Sequence, residues 1–345
     1  MKAVILAGGK GSRLVPITNS TPKPMISLLN RPFLEYLLTH LGSHGFFEVF
    51  LTMFHLSDSI VKHFGSRPKN KGSLTYAVEN SPMGTAGGVK ALEDKLESTF
   101  VVCNGDIYSD LDLTAALNFH REKKAIATIV LTWVDDPSAY GMVETDNEGK
   151  ILRFVEKPSS SQITTNWVNA GTYILEPEAL GYVPGGVSLM FERDLFPNLL
   201  EYQKPVYSYA ANSYWIDVGS PENYKKLHQD ILLGRAPDNL GTRSLFNGLN
   251  KGIGCKVADN LRSLGPVLLG DECVIGENVE LVGPLVIGDK CNIGTDVSIS
   301  DSILLDNVFV GEGSRVTECV LGSRSSIRAG TNLPRGSIVP EDTVY

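Results

Sequence analysis

The chain predicts an α/β domain built on a mostly parallel sheet, followed by a β-helix, and two patterns carry that expectation. Through the first two thirds, strand-like apolar runs alternate with helical spacings, as in successive βαβ units. In the last quarter, branched apolar residues recur at a period of six. Composition agrees: 345 residues that are 42% hydrophobic and 20% charged can bury a large core and divide into two domains.

The elements follow in order. KAVIL at 2–6 reads as a buried strand, and Leu34, Leu37, Leu38 and Leu41 then fall on one helical face. EVFLTM at 48–53 and LTYAV at 74–78 are the next strands. Val89, Leu92 and Leu96 mark a helix before FVVCN at 100–104, and a helix near 112–123 precedes ATIVLTWV at 127–134. In such a sheet ligands belong at the carboxyl ends of the strands, where the glycine-rich loop after residue 6 and NGD at 104–106 both lie.

The pattern changes after a Pro/Asn/Gly-rich stretch at 234–250. Inward positions are predicted at 269, 275, 281, 287, 293, 299, 304, 310, 316, 321, 327 and 333, with nine intervals of six residues and two of five. Glycine follows at 270, 276, 288, 294, 311 and 322, so each unit is one short strand and one turn. The pattern resembles the hexapeptide repeats of left-handed β-helix proteins. The expected division is a first domain at 1–235, a connector at 236–262 and a β-helix at 263–345. Cys273 and Cys291 stand eighteen residues apart, one coil of three units. Plain packing is expected of them, because Val279, Val297, Val308, Ser314, Ser325 and Thr331 fill the same slot. The repeat is not extended back to Cys255, since Lys251 would then point inward.

Charge excludes some partners. A net charge of −8 argues against nucleic-acid or anionic-membrane surfaces, which need clustered lysine and arginine. AIATIVLTWV at 125–134 is the longest apolar run, too short for a bilayer, and the N-terminus lacks signal-peptide architecture. A cytoplasmic location is the expectation. Five cysteines without a CxxC pair indicate reduced thiols, with neither a disulfide framework nor a zinc site.

The loop LAGGKGSRLVPITNSTPKP, Leu6 to Pro24, has glycines whose backbone N–H groups can approach an anion closely. It is not a Walker loop, which needs Gly-Lys followed by Ser or Thr, nor a dinucleotide fingerprint, because Leu14 stands at the third glycine. Arg13 and Lys23 are its cations, and Pro22 and Pro24 aim the lysine by fixing the backbone on either side. Asp106 and Asp217 each end an apolar run, and with a phosphate loop they suggest a Mg²⁺ site completed by substrate phosphates.

Six motifs occur in order: the opening loop, ENSPMGTAGGV, NGD, YGMVETDNEGKILRFVEKP, NAGTYILEPE and WIDVGSPENY. Together they resemble the sugar-1-phosphate nucleotidylyltransferases, and within them the mannose-1-phosphate guanylyltransferases that carry a C-terminal left-handed β-helix. Two positions depart from the family pattern, Ser12 for a threonine and Ile17 for a leucine. The resemblance implies a Rossmann-like catalytic domain. It implies that Leu6, Ala7, Gly8, Gly9, Gly11, Ser12, Glu79, Gly84 and Thr85 bind the nucleotide, with Arg13, Lys23 and Asp106 catalytic. Gly141, Glu156, Lys157, Asn169 and Gly171 would receive the sugar phosphate, and Asp106 and Asp217 would hold Mg²⁺. The partners are then a nucleoside triphosphate and a sugar-1-phosphate, and homo-oligomers are expected through the β-helix.

The implied reaction is attack of the sugar-1-phosphate oxygen on the α-phosphorus, with pyrophosphate leaving. A phosphate monoester is already anionic, so no general base is needed, in keeping with six histidines that all lie outside the motifs. GTP is the expected nucleotide, because the carboxylate of Glu79 accepts hydrogen bonds and guanine's Watson–Crick edge offers two adjacent donors, and mannose-1-phosphate is the sugar phosphate that the resemblance implies. A glucose-1-phosphate thymidylyl- or uridylyltransferase is the alternative within the class, and a regulatory β-helix homologue the alternative outside it. Acyl transfer by the β-helix is disfavoured, because no histidine follows residue 228.

Overall fold

The computed structural model of the chain describes residues 1–9, 11–54, 57–65, 72–240 and 248–345. Residues 241–247 of the expected connector lie outside the described residues. By packing, the chain resolves into two compact units: Met1–Lys10 with Leu37–Ile216, and Gly11–Tyr36 with Asp217–Tyr345.

The first unit is built on a nine-stranded mixed sheet. Its strands are β1 (Lys2–Leu6), β2 (Glu48–Met53), β3 (Ser73–Val78), β4 (Phe100–Asn104), β5 (Ala127–Trp133), β6 (Gly141–Thr145), β7 (Ile151–Glu156), β8 (Trp167–Leu175) and β9 (Val206–Ala210). Their order is β7-β6-β8-β4-β1-β2-β3, with β5 pairing β8 and β9. The parallel part, β4-β1-β2-β3, holds four of the five strands legible as apolar runs, and the fifth, β5, pairs antiparallel with β8 and parallel with β9. Such runs mark strands covered on both faces, and Val4, Val101 and Val102 are fully buried. The strand β8 enters antiparallel against β4 and β5, and β7 closes antiparallel on β6. The β6–β7 turn is made by Asp146, whose Oδ1 accepts the amides of Glu148 and Lys150, both at 2.9 Å. Helices α1 (Gly84–Lys90) and α2 (Leu113–Lys123) belong to this unit.

The second unit contains the opening loop from Gly11, helix α3 (Pro221–Leu232) and the coils of a β-helix. The coils stack three all-parallel sheets of six, five and four strands, an arrangement that fits a left-handed β-helix. Each of the twelve predicted inward residues is buried, from Leu269 to Leu333. The coil length drops from 18 residues, Val267 over Leu285, to 17, Val286 over Ile303, where the sequence interval shortens to five. The helix also starts a coil earlier than the repeat suggests. Leu249–Lys251, Lys256–Val257 and Arg262–Leu264 each pair in parallel with the coil below. Lys251, which masks the repeat in sequence, stands exposed on this first coil.

Between coils runs a side-chain ladder. Asp271 Oδ1 accepts from Ile253 N at 2.7 Å, Asp289 Oδ1 from Asp271 N at 2.8 Å, and Asp306 Oδ1 from Asp289 N at 2.9 Å. The cysteines keep the same beat: Cys255 Sγ donates to Gly270 O and Cys273 Sγ to Gly288 O, both at 3.0 Å. Among the described residues all five cysteines are free thiols, and no helix is long and apolar enough to cross a membrane.

Candidate active site

In the first unit the site is assembled at the carboxyl ends of β1, β2 and β4. Leu6 is in register with Thr52 and Asn104, and Ala7 N donates to Thr52 O at 2.9 Å, so Gly8 and Gly9 leave the sheet at its edge. Gly105 N donates to Leu6 O at 2.9 Å, and a Cβ on Gly105 would lie 2.7 Å from that oxygen. The glycine of NGD thus lets the turn close on β1 and delivers Asp106 to the same edge. A cleft of about 310 Å³ opens there. Leu6, Gly8, Gly9, Glu79, Gly84, Thr85 and Asp106, all named from the sequence, lie in its lining. Pro82 and Asn104, from the motifs ENSPMGTAGGV and NGD, line it as well, as do Thr52, Phe54 and Met190, which lie outside the motifs.

Glu79 serves two structures at once. Its Oε2 accepts from Met83 N at 3.0 Å, at the start of α1, and its Oε1 lies 2.4 Å from where a Cβ on Gly88 would stand. The carboxylate therefore accepts the amide of Met83, the residue before α1, while lining the cleft. Two further amides in the first turn are also occupied: Ala86 N and Gly87 N donate to Leu189 O at 2.9 and 3.2 Å.

A second group of residues gathers on β6, β7 and β8. Glu156 is in register with Gly141, and a Cβ on Gly141 would fall 3.0 Å from Glu156 Oε2 and 2.6 Å from Phe154 Cζ. Burial raises the pKa of Glu156, the nearby Glu192 carboxylate raises it further, and Lys157 and Arg193 act in opposition. Lys157 follows with φ 49 and its amide donates to Tyr140 O at 2.9 Å. The β8 strand is irregular between Asn169 and Tyr173, where Gly171 takes φ +70 and packs on Asn104; a Cβ there would meet Asn104 Nδ2 at 2.6 Å. Asn169 is held at both ends of its amide, with Oδ1 accepting from Gly171 N at 2.9 Å and Nδ2 donating to Tyr173 Oη at 2.8 Å. The buried Tyr173 hydroxyl in turn donates to Glu192 Oε1 at 2.9 Å. Glu192 sits in a π-helical turn, Phe191–Leu195, a local geometry often found at functional sites. Sequence reading missed it, since a carboxylate in FERDLF looks like any solvated charge.

Gly11, Ser12, Arg13, Lys23 and Asp217 belong to the second unit. Arg13 lies in a 3₁₀ turn, Ser12–Leu14, and its Nη2 stands 3.5 Å from Asp217 Oδ2. Lys23 Nζ is 3.9 Å from Asp217 Oδ1. The side chain of Lys23 is only 9% exposed and that of Asp217 13%, whereas that of Arg13 is 69% exposed. Two cations and one carboxylate thus share a partly desolvated cluster. Asp217 precedes α3, where Ser220 caps the helix and Asn223 Nδ2 donates to Asp217 O at 2.8 Å. Asp106 and Asp217 both offer hard oxygen donors, which suits Mg²⁺. Among the described residues no group of three or more His, Cys, Asp or Glu forms a metal site, and magnesium bound through substrate phosphates requires none.

Residues 2–233 match the family model described as nucleotidyl transferase. The chain belongs to that family. A second model, described as the GMPPB C-terminal domain, matches residues 263–344 of this nucleotidyltransferase. Over 237 residues it is 38% identical to a mannose-1-phosphate guanylyltransferase of Mycobacterium tuberculosis, covering 68% of this chain and 66% of that one. A mannose-1-phosphate guanyltransferase of Saccharomyces cerevisiae is 35% identical, with 70% and 68% covered. A UTP–glucose-1-phosphate uridylyltransferase of Synechocystis is 37% identical, with 78% and 74% covered. Among solved structures, HddC from Yersinia pseudotuberculosis complexed with GMP-PN is 31% identical and superposes with a TM-score of 0.57, covering 66% of this chain and 97% of that one. These relatives make the chain an enzyme of the sugar-1-phosphate nucleotidyltransferase class.

Proposed function

We propose that this nucleotidyltransferase joins GTP to mannose-1-phosphate, forming GDP-mannose and pyrophosphate. The observation that carries the choice of GTP is Glu79, a carboxylate that lines the cleft together with Gly8 and Gly9, while mannose-1-phosphate rests on the relatives named for it. A carboxylate accepts and cannot donate, which suits the N1–H and 2-amino donors of guanine better than the flanking carbonyls of uracil. Relatives named guanylyltransferases, and one crystallised with GMP-PN, support the same choice.

The chemistry asked of the protein is alignment and charge neutralisation. Backbone amides of Gly8, Gly9 and Gly11 receive the triphosphate, while Arg13 and Lys23 offset the repulsion between two polyanions. A Mg²⁺ ion held by Asp106 and Asp217 would add further neutralisation at the α-phosphate. Glu156 and Asn169 accept and donate to hexose hydroxyls over the floor made by Gly141 and Gly171, and Lys157 meets the 1-phosphate. The oxygen of that phosphate attacks the α-phosphorus, the bond to the pyrophosphate oxygen breaks, and the leaving group carries its charge away with no proton transfer required.

The test is pyrophosphate release measured for GTP, UTP, dTTP, ATP and CTP, each with mannose-, glucose- and heptose-1-phosphate. Highest kcat/KM for GTP with mannose-1-phosphate is expected. The similarity to a uridylyltransferase supports a second reading, UTP with glucose-1-phosphate, and preference for that pair would replace the first.

A further inference from the structure

The second unit contains an arrangement that the β-helix, expected to serve only assembly and stability, does not explain. The segment carrying Arg13 and Lys23 continues into a two-strand hairpin, Ser27–Leu28 with Arg31–Pro32, whose tip residues Leu29 and Asn30 take φ 48 and 62. At that tip Asn30 Nδ2 donates to the backbone carbonyl of Ile287 in the β-helix, at 2.9 Å. At its base the carbonyl of Ser27 accepts from Tyr224 Oη at 2.5 Å and faces His228 Nε2 at 3.1 Å, both on α3. Helix α3 is itself tied to the β-helix, Lys225 Nζ donating to Glu318 O at 2.8 Å. A third tie lies nearer the lysine, with Ser20 Oγ donating to Glu341 Oε2 at 2.5 Å in the last coil.

We propose that the β-helix positions the reactive cations: through Asn30 on Ile287 and Lys225 on Glu318, its coils fix the segment that places Arg13 and Lys23 opposite Asp217. Asn30 and Lys225 are positioning residues that touch no substrate. The chemistry supports a positioning role over mere packing. Two of the three anchors on the β-helix, Ile287 and Glu318, are main-chain carbonyls of stacked coils, which have no rotamer of their own. A loop referenced to them inherits the rigidity of the stack. Lysine and arginine chains are otherwise rich in rotamers, and alignment of two polyanions tolerates little drift. The inference rests on the proposed reaction only for the consequence at turnover; the tether itself is a property of the free protein.

Three variants of the full chain test it. Asn30→Gly keeps the left-handed turn and deletes the donor; Asn30→Asp keeps the shape and turns an oxygen toward the Ile287 carbonyl; Lys225→Met keeps the stem and deletes the ammonium. Hydrogen exchange of residues 20–36 reads the tether without any turnover, and faster exchange is expected in all three, most in Asn30→Asp. Steady-state kinetics should show kcat lowered about ten-fold in Asn30→Asp, with KM for the sugar-1-phosphate within about two-fold of wild type. Wild-type exchange over 20–36 in both Asn30→Asp and Lys225→Met overturns the proposal. So does faster exchange spread evenly through the chain, which marks general destabilisation. A wild type that releases no pyrophosphate with any substrate pair refutes the proposed reaction instead, and leaves the exchange result to decide the tether.

Discussion

Replacing Glu79 with glutamine changes one atom and should change the base that the enzyme prefers. Oε2 of Glu79 accepts from Met83 N at 3.0 Å, and that amide needs an acceptor whichever side chain stands at 79. In Glu79→Gln the amide oxygen therefore keeps the Oε2 place, and the NH₂ group is forced into the place of Oε1. A charged acceptor in the cleft wall becomes a neutral donor. Facing guanine, the loss is one hydrogen bond to a charged group, about 1.5–3 kcal/mol, or roughly ten- to hundred-fold in kcat/KM for GTP. Facing uracil, the new donor meets a carbonyl, so UTP use should rise. The assay is the ratio of kcat/KM values for GTP and UTP, with thermal melts alongside. Because the oxygen that accepts Met83 N is preserved, Tm should hold; Glu79→Ala, which leaves that part-buried amide without its acceptor, should lose about 1 kcal/mol of stability and weaken both nucleotides. A GTP/UTP ratio that Glu79→Gln leaves within about three-fold of wild type would refute the assignment of Glu79 to the base.

Other outcomes are expected from the same geometry. Asp106→Asn and Asp217→Asn should each lower Mg²⁺-dependent pyrophosphate release on the order of 10²-fold, and isothermal titration should show weaker binding of the Mg²⁺–nucleotide pair. Gly141→Ala puts a methyl 3.0 Å from Glu156 Oε2 and 2.6 Å from Phe154 Cζ, so KM for the sugar-1-phosphate should rise about ten-fold while KM for the nucleotide changes little. Stability should fall in mild acid. Burial lowers the pKa of His228 to about 3 and that of His40 to about 4, against 6.5 for a free histidine. The unfolded chain thus takes up protons below pH 6.5 that the folded chain refuses, and melts at pH 7 and 5.5 should show Tm dropping. His228→Asn should flatten that dependence.

The parallel strands β1, β2 and β4 were legible because burial on both faces writes an uninterrupted apolar run, as in FVVCN. The antiparallel strands β6 and β7 were not, because they lie toward one edge of the sheet, and Leu152 and Arg153 there are exposed. The β-helix was legible to the residue where the period holds, and hidden in its first coil, where Lys251 faces solvent. At the site, the glycines and paired prolines signalled the loop, and Gly11, at φ +65, is the one among them whose backbone favours glycine. Glu192 gave no such signal, because a carboxylate bonded to a buried tyrosine is defined by a neighbour distant in sequence, and for Asn104 the NGD motif marked the place but not its packing on Gly171. Nor does spacing alone reveal that residues 11–36 pack with the C-terminal coils, since that grouping depends on side chains such as Asn30 meeting carbonyls more than 250 positions away.

The aspartate ladder has a mechanical consequence. Asp271, Asp289 and Asp306 each grip the amide of the coil before, so every rung spans one seam and no rung spans two. Such a stack behaves as a zip, whose cohesion is a sum over neighbouring coils. Heat or pulling should open it from a free end, coil by coil. Cutting an end rung frays that end, whereas cutting Asp289, with a seam on either side, creates a second place from which the zip can start to part.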